Sequence, residues 1–206
     1  MSKSDEFVKL LLKVEKRFAN ANKRLAGEGW KHDWQTLFAT ILSAQSRDET
    51  TIPIAEKLFS KYPTLQSIAI SNPADIKKVV NSINYNNTKS RNIVLAANYL
   101  LENHQGKVPS TIDELVLIPG VGRKTANLVL AECFGKQAIC VDTHVHKISN
   151  MFGFVKTKNP FETELALQTL VPKKYWHRIN RAFVLWGKQT PRYDKDILVS
   201  ILNQEK

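Results

Sequence analysis

The feature of this sequence that most constrains its fold is an apolar pattern of helical spacing that recurs along the whole chain. Apolar residues three and four positions apart form one face of successive segments, beginning with the run from Phe7 to Phe18. The strict alternation that indicates a half-buried strand is nearly absent. Short polar stretches separate the segments, and no internal repeat or Pro/Gly/Ser-rich linker divides the chain. The pattern therefore predicts an all-α protein of roughly ten helices.

Capping residues predict where several of these helices begin. Short oxygen-bearing side chains bind the first amides of a helix, so we expect Asp48 to cap the third helix. We expect Ser110 to cap the helix that ends near Ile118. The apolar faces place the other helices at about residues 7–18, 34–42, 73–80, 88–100, 124–134, 143–152, 160–170 and 176–188, with a short helix in the tail.

Charge and cysteine content restrict the partner and the compartment. The chain has 30 Lys and Arg against 19 Asp and Glu, a net charge of +11. This favours a polyanionic partner such as nucleic acid, with a generally solvating basic surface as the alternative. Two cysteines, Cys133 and Cys140, lie among apolar residues and are expected to be reduced, buried thiols. No run is long enough for a membrane span and the N-terminus lacks a cleavage signal, so we expect a cytoplasmic, nucleoid-associated protein.

Residues 115–124, LVLIPGVGRK, predict a helix, a tight hairpin and a second helix. Pro119 ends the first helix, and the glycines allow positive φ and close approach of another backbone. The second helix would begin with several outward-pointing amides beside Arg123 and Lys124, an arrangement that binds phosphate. A tight turn between two helices, with no ligand, is the alternative for this motif by itself.

A second motif makes the hairpin far more specific. Eighteen residues after Lys124 stands Asp142, in the sequence VDTH. The stretch LIPGVGRKTANLVLAECFGKQAICVDTHVHKISN resembles the endonuclease III-like branch of the helix–hairpin–helix DNA glycosylases. The resemblance extends to ILSAQSRDE at 41–49 and NYNNTKSRNI at 84–93, and it covers about residues 30–190.

The resemblance implies a fold of two packed helical lobes in a single unit, residues 1–206, with a cleft between them. Lobe A, about residues 28–136, would be a six-helix barrel-like lobe that includes the helix–hairpin–helix at 111–135. Lobe B would join about residues 1–27 to residues 137–206, and so combine the N-terminal and C-terminal helices.

The resemblance also makes Lys124 and Asp142 the catalytic pair. A lysine amine can attack C1′ of a deoxyribose and form a Schiff base, and we expect Arg123 and partial burial to favour the uncharged amine. A carboxylate can stabilise positive charge on the sugar or help to activate the nucleophile. The alternatives are that Asp142 is only an N-cap and that Lys124 is only a phosphate contact.

Further site residues follow from the same resemblance. Gln45 and Tyr85 match residues that fill the gap left when a base is flipped out of the duplex. Tyr85 departs from the leucine of the best-known pattern, and an ordinary loop tyrosine is its alternative. His144 is either a DNA-backbone contact or a helix-face histidine satisfied by its neighbours. The remaining candidates are Gly120, Val121, Gly122 and Arg123 for DNA binding, Ser43 and Asp48 for the base pocket, Lys89, Arg91, Lys147 and Arg192 for phosphates, and the carbonyls of Ile118 and Val121 for a Na⁺ or K⁺ ion when DNA is bound.

The chain departs from this family pattern at its C-terminus. The best-known members bind a [4Fe–4S] cluster there through four cysteine thiolates. This chain has two cysteines, neither near the C-terminus, and Pro191 stands where the first cluster cysteine would be. We therefore expect no cluster and no other resident cofactor. We expect the packing of Trp186, Ile197, Leu198 and Ile201 to take over the structural role of the cluster loop.

The resemblance implies a monomeric DNA-repair glycosylase that acts on duplex DNA. It would remove damaged, oxidised pyrimidines and then nick the strand 3′ to the abasic site by β-elimination. Two alternatives stay open at this point. One is a glycosylase for G·T or G·U mismatches, and the other is a non-catalytic DNA-binding module that uses the hairpin only as a phosphate clamp.

Overall fold

The structure is a computed structural model that describes residues 1–21, 23–190 and 193–204. Within these residues it contains twelve α-helices, one 3₁₀ turn at Lys173–Tyr175 and no strand. The all-α prediction is therefore confirmed. The helices are α1 Lys3–Phe18, α2 Asp33–Ser43, α3 Asp48–Lys61, α4 Leu65–Ala69, α5 Pro73–Val79, α6 Asn86–His104, α7 Ile112–Leu115, α8 Arg123–Phe134, α9 Thr143–Met151, α10 Pro160–Leu170, α11 Trp176–Gly187 and α12 Lys195–Asn203.

Two of the predicted caps are wrong. Arg47 occupies the N-cap position of α3, and Asp48 is the first helical residue, whose Oδ1 accepts the Ala26 N–H at 3.1 Å. Asp48 therefore ties α3 to the segment before α2 instead of closing its own helix. At α7 the cap is Thr111, whose side chain accepts the Glu114 N–H, and not Ser110. A serine directly before a threonine offers two adjacent capping side chains, and only the backbone path decides between them.

The chain divides into two compact units. The central unit is Arg24–Gly135, and the terminal unit combines Met1–Lys23 with Lys136–Lys206. In the central unit, α2 packs against α3, α6 and α8, while α6 packs against α4 and α5. This arrangement follows from the sequence of α2, in which the ten consecutive residues 34–43 include no charged side chain. A helix that is apolar nearly all round is buried at the centre of its unit.

The terminal unit is built on α11, which packs against α1 and α9. Phe7 of α1 lies in edge contact with Phe154 and at 5.6 Å, ring centre to ring centre, from Phe183 of α11. Arg178 forms an ion pair with Glu15, joining α11 to α1 on the outside of this core. Residues from opposite ends of the chain thus share one core, which the sequence pattern by itself does not specify.

The C-terminal helix α12 packs against α1 in the same unit. Trp186 and Leu198 are fully buried, and the Trp186 indole N–H donates to the Leu198 carbonyl at 3.0 Å. The predicted packing of Trp186, Leu198 and Ile201 is found, but Ile197 is 48% exposed and Leu202 is buried instead. Pro191 and the candidate phosphate contact Arg192 lie outside the described residues. Among the described helices, none combines the length and the apolar character that crossing a membrane requires.

Candidate catalytic site

The predicted helix–hairpin–helix is present in the central unit. Helix α7 ends at Leu115, and a tight turn closes where the Val121 N–H donates to the Ile118 carbonyl at 3.0 Å. Helix α8 then starts from Gly122, whose carbonyl accepts the Ala126 N–H at 2.9 Å. The amides before Ala126 therefore lie at the positive end of the α8 dipole, as a phosphate site requires. The Val121 side chain is buried and its amide donates within the turn, and its predicted role in DNA binding stays a prediction.

The two hairpin glycines are needed for different reasons. Gly120 has φ of 84°, and a Cβ there would lie 2.9 Å from the side-chain amide of Asn92. A larger residue at 120 would therefore be strained and crowded. At Gly122, φ is −96° and a Cβ would meet no atom within 4 Å. Gly122 leaves the N-terminus of α8 open on its outer side, where a phosphate oxygen could approach the amides.

Lys124 lies in the first turn of α8, beside Arg123. The side chains of both residues are exposed, so the expected partial burial of Lys124 is wrong. The amine is reachable from solvent at the hairpin end of the helix. A nucleophile must first be within reach of the sugar on a bound strand, and only then does the pKa of its amine matter. The exposed position of Lys124 is compatible with this requirement.

Asp142 is the N-cap of α9 in the terminal unit, where its Oδ1 accepts the Val145 N–H at 2.9 Å. The capping interpretation of Asp142 is therefore confirmed, and it does not compete with a chemical role. One carboxylate oxygen closes the helix, and a carboxylate has a second oxygen that can accept further bonds, so the role of Asp142 toward a substrate stays a prediction. The same cap fixes His144 in the first turn of α9, where its Nδ1 lies 2.8 Å from the Tyr193 hydroxyl.

The candidate gap-filling residues Gln45 and Tyr85 are brought together within the central unit. Both are exposed, and both have left-handed backbones, with φ of 54° and 59°. Asn84 links the two turns, because its side-chain amide donates to the Gln45 carbonyl at 2.6 Å. Left-handed φ is costly for a residue with a Cβ and persists only where surrounding structure imposes it, often at functional sites. The tyrosine side chain is 64% exposed and lies free of the protein core.

Lys89 is not a surface phosphate contact, and this prediction is wrong. It is only 6% exposed, and its ammonium donates to the carbonyls of Leu42 (2.8 Å) and Ala44 and approaches the Ser46 hydroxyl at 3.3 Å. Burial lowers the pKa of Lys89 to about 8. Lys89 therefore joins the first turn of α6, just after Tyr85, to the end of α2, just before Gln45. Sequence reasoning missed this role because a lysine on an otherwise polar helical turn is usually solvated.

The two candidate base-pocket residues make contacts that fix the local backbone. Ser43 is half-buried, and its hydroxyl donates to the Thr40 carbonyl one turn earlier in α2 at 2.9 Å. Asp48 accepts the Ala26 amide, as described above. Arg91 and Lys147 are exposed. The predicted roles of all these residues toward DNA stay predictions.

The donor set of the chain does not fit an iron–sulfur cluster. A [4Fe–4S] cluster takes four thiolates, and the full sequence supplies only Cys133 and Cys140. Burial raises the pKa of the Cys133 thiol to about 12, which disfavours the thiolate, and Cys140 is buried in the terminal unit. In the described part of the chain, no three His, Cys, Asp or Glu side chains gather at one point as metal ligands. A Na⁺ or K⁺ ion on the hairpin carbonyls stays a prediction; Ile118 keeps a second lone pair beside the bond it accepts from Val121.

These observations define a class of protein. An all-α fold that presents a glycine hairpin at a helix N-terminus, with a lysine directly behind it, is a helix–hairpin–helix DNA-binding protein. The exposed tyrosine and glutamine on strained turns, and the aspartate at a second helix N-terminus, further suit a protein that works on a base removed from the duplex.

Comparisons with known proteins agree with this class and narrow it. Residues 38–173 match the family described as HhH-GPD superfamily base excision DNA repair protein. Endonuclease III of Thermotoga maritima is 40% identical over 180 residues, which cover 87% of this chain and 82% of that protein. Endonuclease III of Bacillus subtilis is 33% identical over 177 residues, covering 83% and 81%. A solved structure of a trapped endonuclease III–DNA covalent intermediate is 30% identical, with a TM-score of 0.85 over 95% of this chain and 91% of that one.

The chain belongs to the HhH-GPD superfamily of base excision DNA repair proteins. It is a DNA glycosylase, an enzyme that acts on DNA. A thymine-DNA glycosylase structure, at 21% identity and a TM-score of 0.77, shares the fold alone.

Proposed function

We propose that this enzyme removes oxidised pyrimidines from duplex DNA and nicks the resulting abasic site with Lys124 as nucleophile. The observation that carries the proposal is a lysine in the first turn of α8, exposed immediately behind the hairpin. A phosphate held at the α8 N-terminus would place an adjoining deoxyribose within reach of that amine. The similarity to a trapped covalent endonuclease III–DNA intermediate supports the same chemistry.

The proposed reaction proceeds through a Schiff base. The lone pair of Lys124 Nζ attacks C1′, the bond from C1′ to the base breaks, and the base leaves with that electron pair and takes up a proton. Opening of the C1′–O4′ bond then gives the iminium ion of a Schiff base. Loss of a proton from C2′ expels the 3′ phosphate by β-elimination, and water hydrolyses the imine. The Asp142 carboxylate stabilises positive charge on the sugar or accepts the proton of the lysine.

The partner follows from this chemistry. We propose duplex DNA that contains a damaged base or an abasic site, with Tyr85 and Gln45 filling the gap left by the flipped nucleotide. One damaged base requires one active site, so a monomer suffices. Because cellular DNA is the proposed substrate, we propose that the enzyme acts in the cytoplasm, associated with the nucleoid.

Borohydride trapping tests the nucleophile. We expect the wild-type protein to form a covalent adduct with a duplex that contains one abasic site, because the reductant converts the imine into a stable amine. Lys124→Ala should form no adduct. Lys77→Ala, which removes an exposed lysine of α5, should behave as the wild type. Tight DNA binding without any adduct would contradict the proposal and support a DNA-binding module.

Asp142→Asn separates capping from chemistry. The amide oxygen of asparagine can still accept the Val145 N–H, so α9 should keep its cap and the protein its melting temperature. The rate of base removal should nevertheless fall by about 100-fold or more, as is typical when a charged group that stabilises a transition state is removed.

A panel of duplexes that contain oxidised pyrimidines, G·T pairs or G·U pairs, assayed with the wild type, identifies the substrate. Removal of only the mismatched base would overturn the assignment to oxidised pyrimidines.

A further inference from the structure

The segment between α11 and α12 contributes a side chain to the surroundings of Asp142. Tyr193 lies in this segment, at the place in the chain where the iron–sulfur loop occurs in the best-known relatives. Its hydroxyl is 2.8 Å from His144 Nδ1, and the two ring centres are 5.5 Å apart. His144 stands two residues after Asp142, in the same first turn of α9.

His144 is held from a second side by α11. Gly187 is buried at the end of that helix, and a Cβ at this position would overlap the imidazole of His144. A glycine here therefore permits a close approach that no other residue would allow. The histidine ring lies against the backbone at Gly187 and contacts the phenol of Tyr193.

The position of Tyr193 is itself imposed by its surroundings. Its φ is 52°, a left-handed conformation that a non-glycine residue adopts only at an energetic cost. The ammonium of Lys147 lies 4.5 Å from the centre of its ring, which adds a cation–π attraction. Burial and the Asp142 carboxylate raise the pKa of Tyr193, so the phenol keeps its proton.

α11 also fixes the chain just before Asp142. The side-chain amide of Asn180 donates to the Cys140 carbonyl at 3.0 Å, and this bond is buried. Asn180 thus fixes the backbone that precedes Asp142. His144, which contacts Gly187 and Tyr193, fixes the turn that follows Asp142. A carboxylate that must meet a transition-state charge needs this kind of support, because small displacements reduce its effect strongly.

We propose that Tyr193 is a positioning residue of the catalytic site, which orients His144 and through it the α9 turn that carries Asp142. A phenol that donates to Nδ1 selects the neutral imidazole with its proton on Nε2. This proposal rests on the proposed role of Asp142.

Single-turnover nicking of an abasic-site duplex tests the proposal. We expect Tyr193→Phe, which retains the ring and loses only the hydroxyl, to lower the rate constant by about tenfold, equivalent to about 1.4 kcal/mol. Because Tyr193 acts through His144, the double variant with His144→Ala should be no slower than His144→Ala alone. Tyr175→Phe removes a hydroxyl elsewhere in the same unit and should keep the wild-type rate. Independent, multiplying effects of Tyr193→Phe and His144→Ala would overturn the proposal.

Imidazole ¹⁵N spectra give a readout that does not depend on activity. In the wild type, His144 should show the tautomer with its proton on Nε2, and Tyr193→Phe should shift it toward a mixture of tautomers at an unchanged melting temperature. An identical His144 spectrum in both proteins would overturn the proposal. A wild type that forms no trapped adduct would refute the proposed lyase function alone, and these spectra would still decide the positioning role.

Discussion

Replacing Lys89 with methionine tests how the two strained turns of the central unit are held. Methionine has nearly the length of the lysine stem and no charge, so it keeps the packing and removes the donor. The change leaves the carbonyls of Leu42 and Ala44 without the ammonium that they bind in the wild type. The Ser46 hydroxyl loses the same neighbour.

The expected loss of stability in Lys89→Met, and its dependence on pH, follow from the burial and the pKa of Lys89. A buried acceptor left without its donor costs about 1–3 kcal/mol, which we expect as the loss at pH 7. The pKa of Lys89 is lowered by burial from 10.5 to about 8. Between these values the unfolded chain holds a proton that the folded protein has released, so this group makes the folded state more stable as the pH rises. The difference between the two pKa values corresponds to about 3 kcal/mol across that window.

The assay is urea unfolding of the wild type and Lys89→Met at several pH values between 7 and 10.5. We expect the wild type to be more stable than the variant at pH 7, and its advantage to grow as the pH rises from 8 toward 10.5. Lys77→Met removes an exposed lysine and should show a constant difference from the wild type. An advantage of the wild type that stays flat or shrinks above pH 8 would refute the assignment of Lys89 as a buried, partly desolvated ammonium.

Three further predictions concern single positions. Gly120→Ala should lower the free energy of unfolding by about 1–3 kcal/mol, because the position combines a positive φ with a crowded Cβ, whereas Gly122→Ala should cost less in the same urea titration. Trp186→Phe should cost about 2 kcal/mol, since it removes the indole donor to the buried Leu198 carbonyl, and an unchanged melting temperature would contradict that role. Tyr85→Gly should leave stability unchanged or raise it by about 1 kcal/mol, because glycine relieves the left-handed strain. The same variant should excise a lesion at least several-fold more slowly, and wild-type excision would show that the tyrosine does not fill the gap.

The sequence by itself determined the helical class, most helix positions and the candidate residues of the site. Helical spacing of apolar residues is a local property, and it located α1, α2, α10 and α11 to within a few residues. The hairpin glycines and the VDTH motif are also local signals, and the family resemblance that they carry indicated Lys124 and Asp142 as candidate residues without any structure. The five-residue helix α4 was not predicted, because one apolar turn is too short for a periodic pattern to be detected.

Only the tertiary structure decided which polar side chains are structural. At α3 the N-cap is Arg47, and the Asp48 side chain instead accepts the Ala26 amide, 22 residues away in sequence. Lys89 is buried and binds the carbonyls of Leu42 and Ala44, which lie more than 40 residues earlier in the chain. Tyr193 contacts His144, which lies 49 residues earlier in the chain. Contacts of this kind carry no periodic signal, and packing alone brings their partners together.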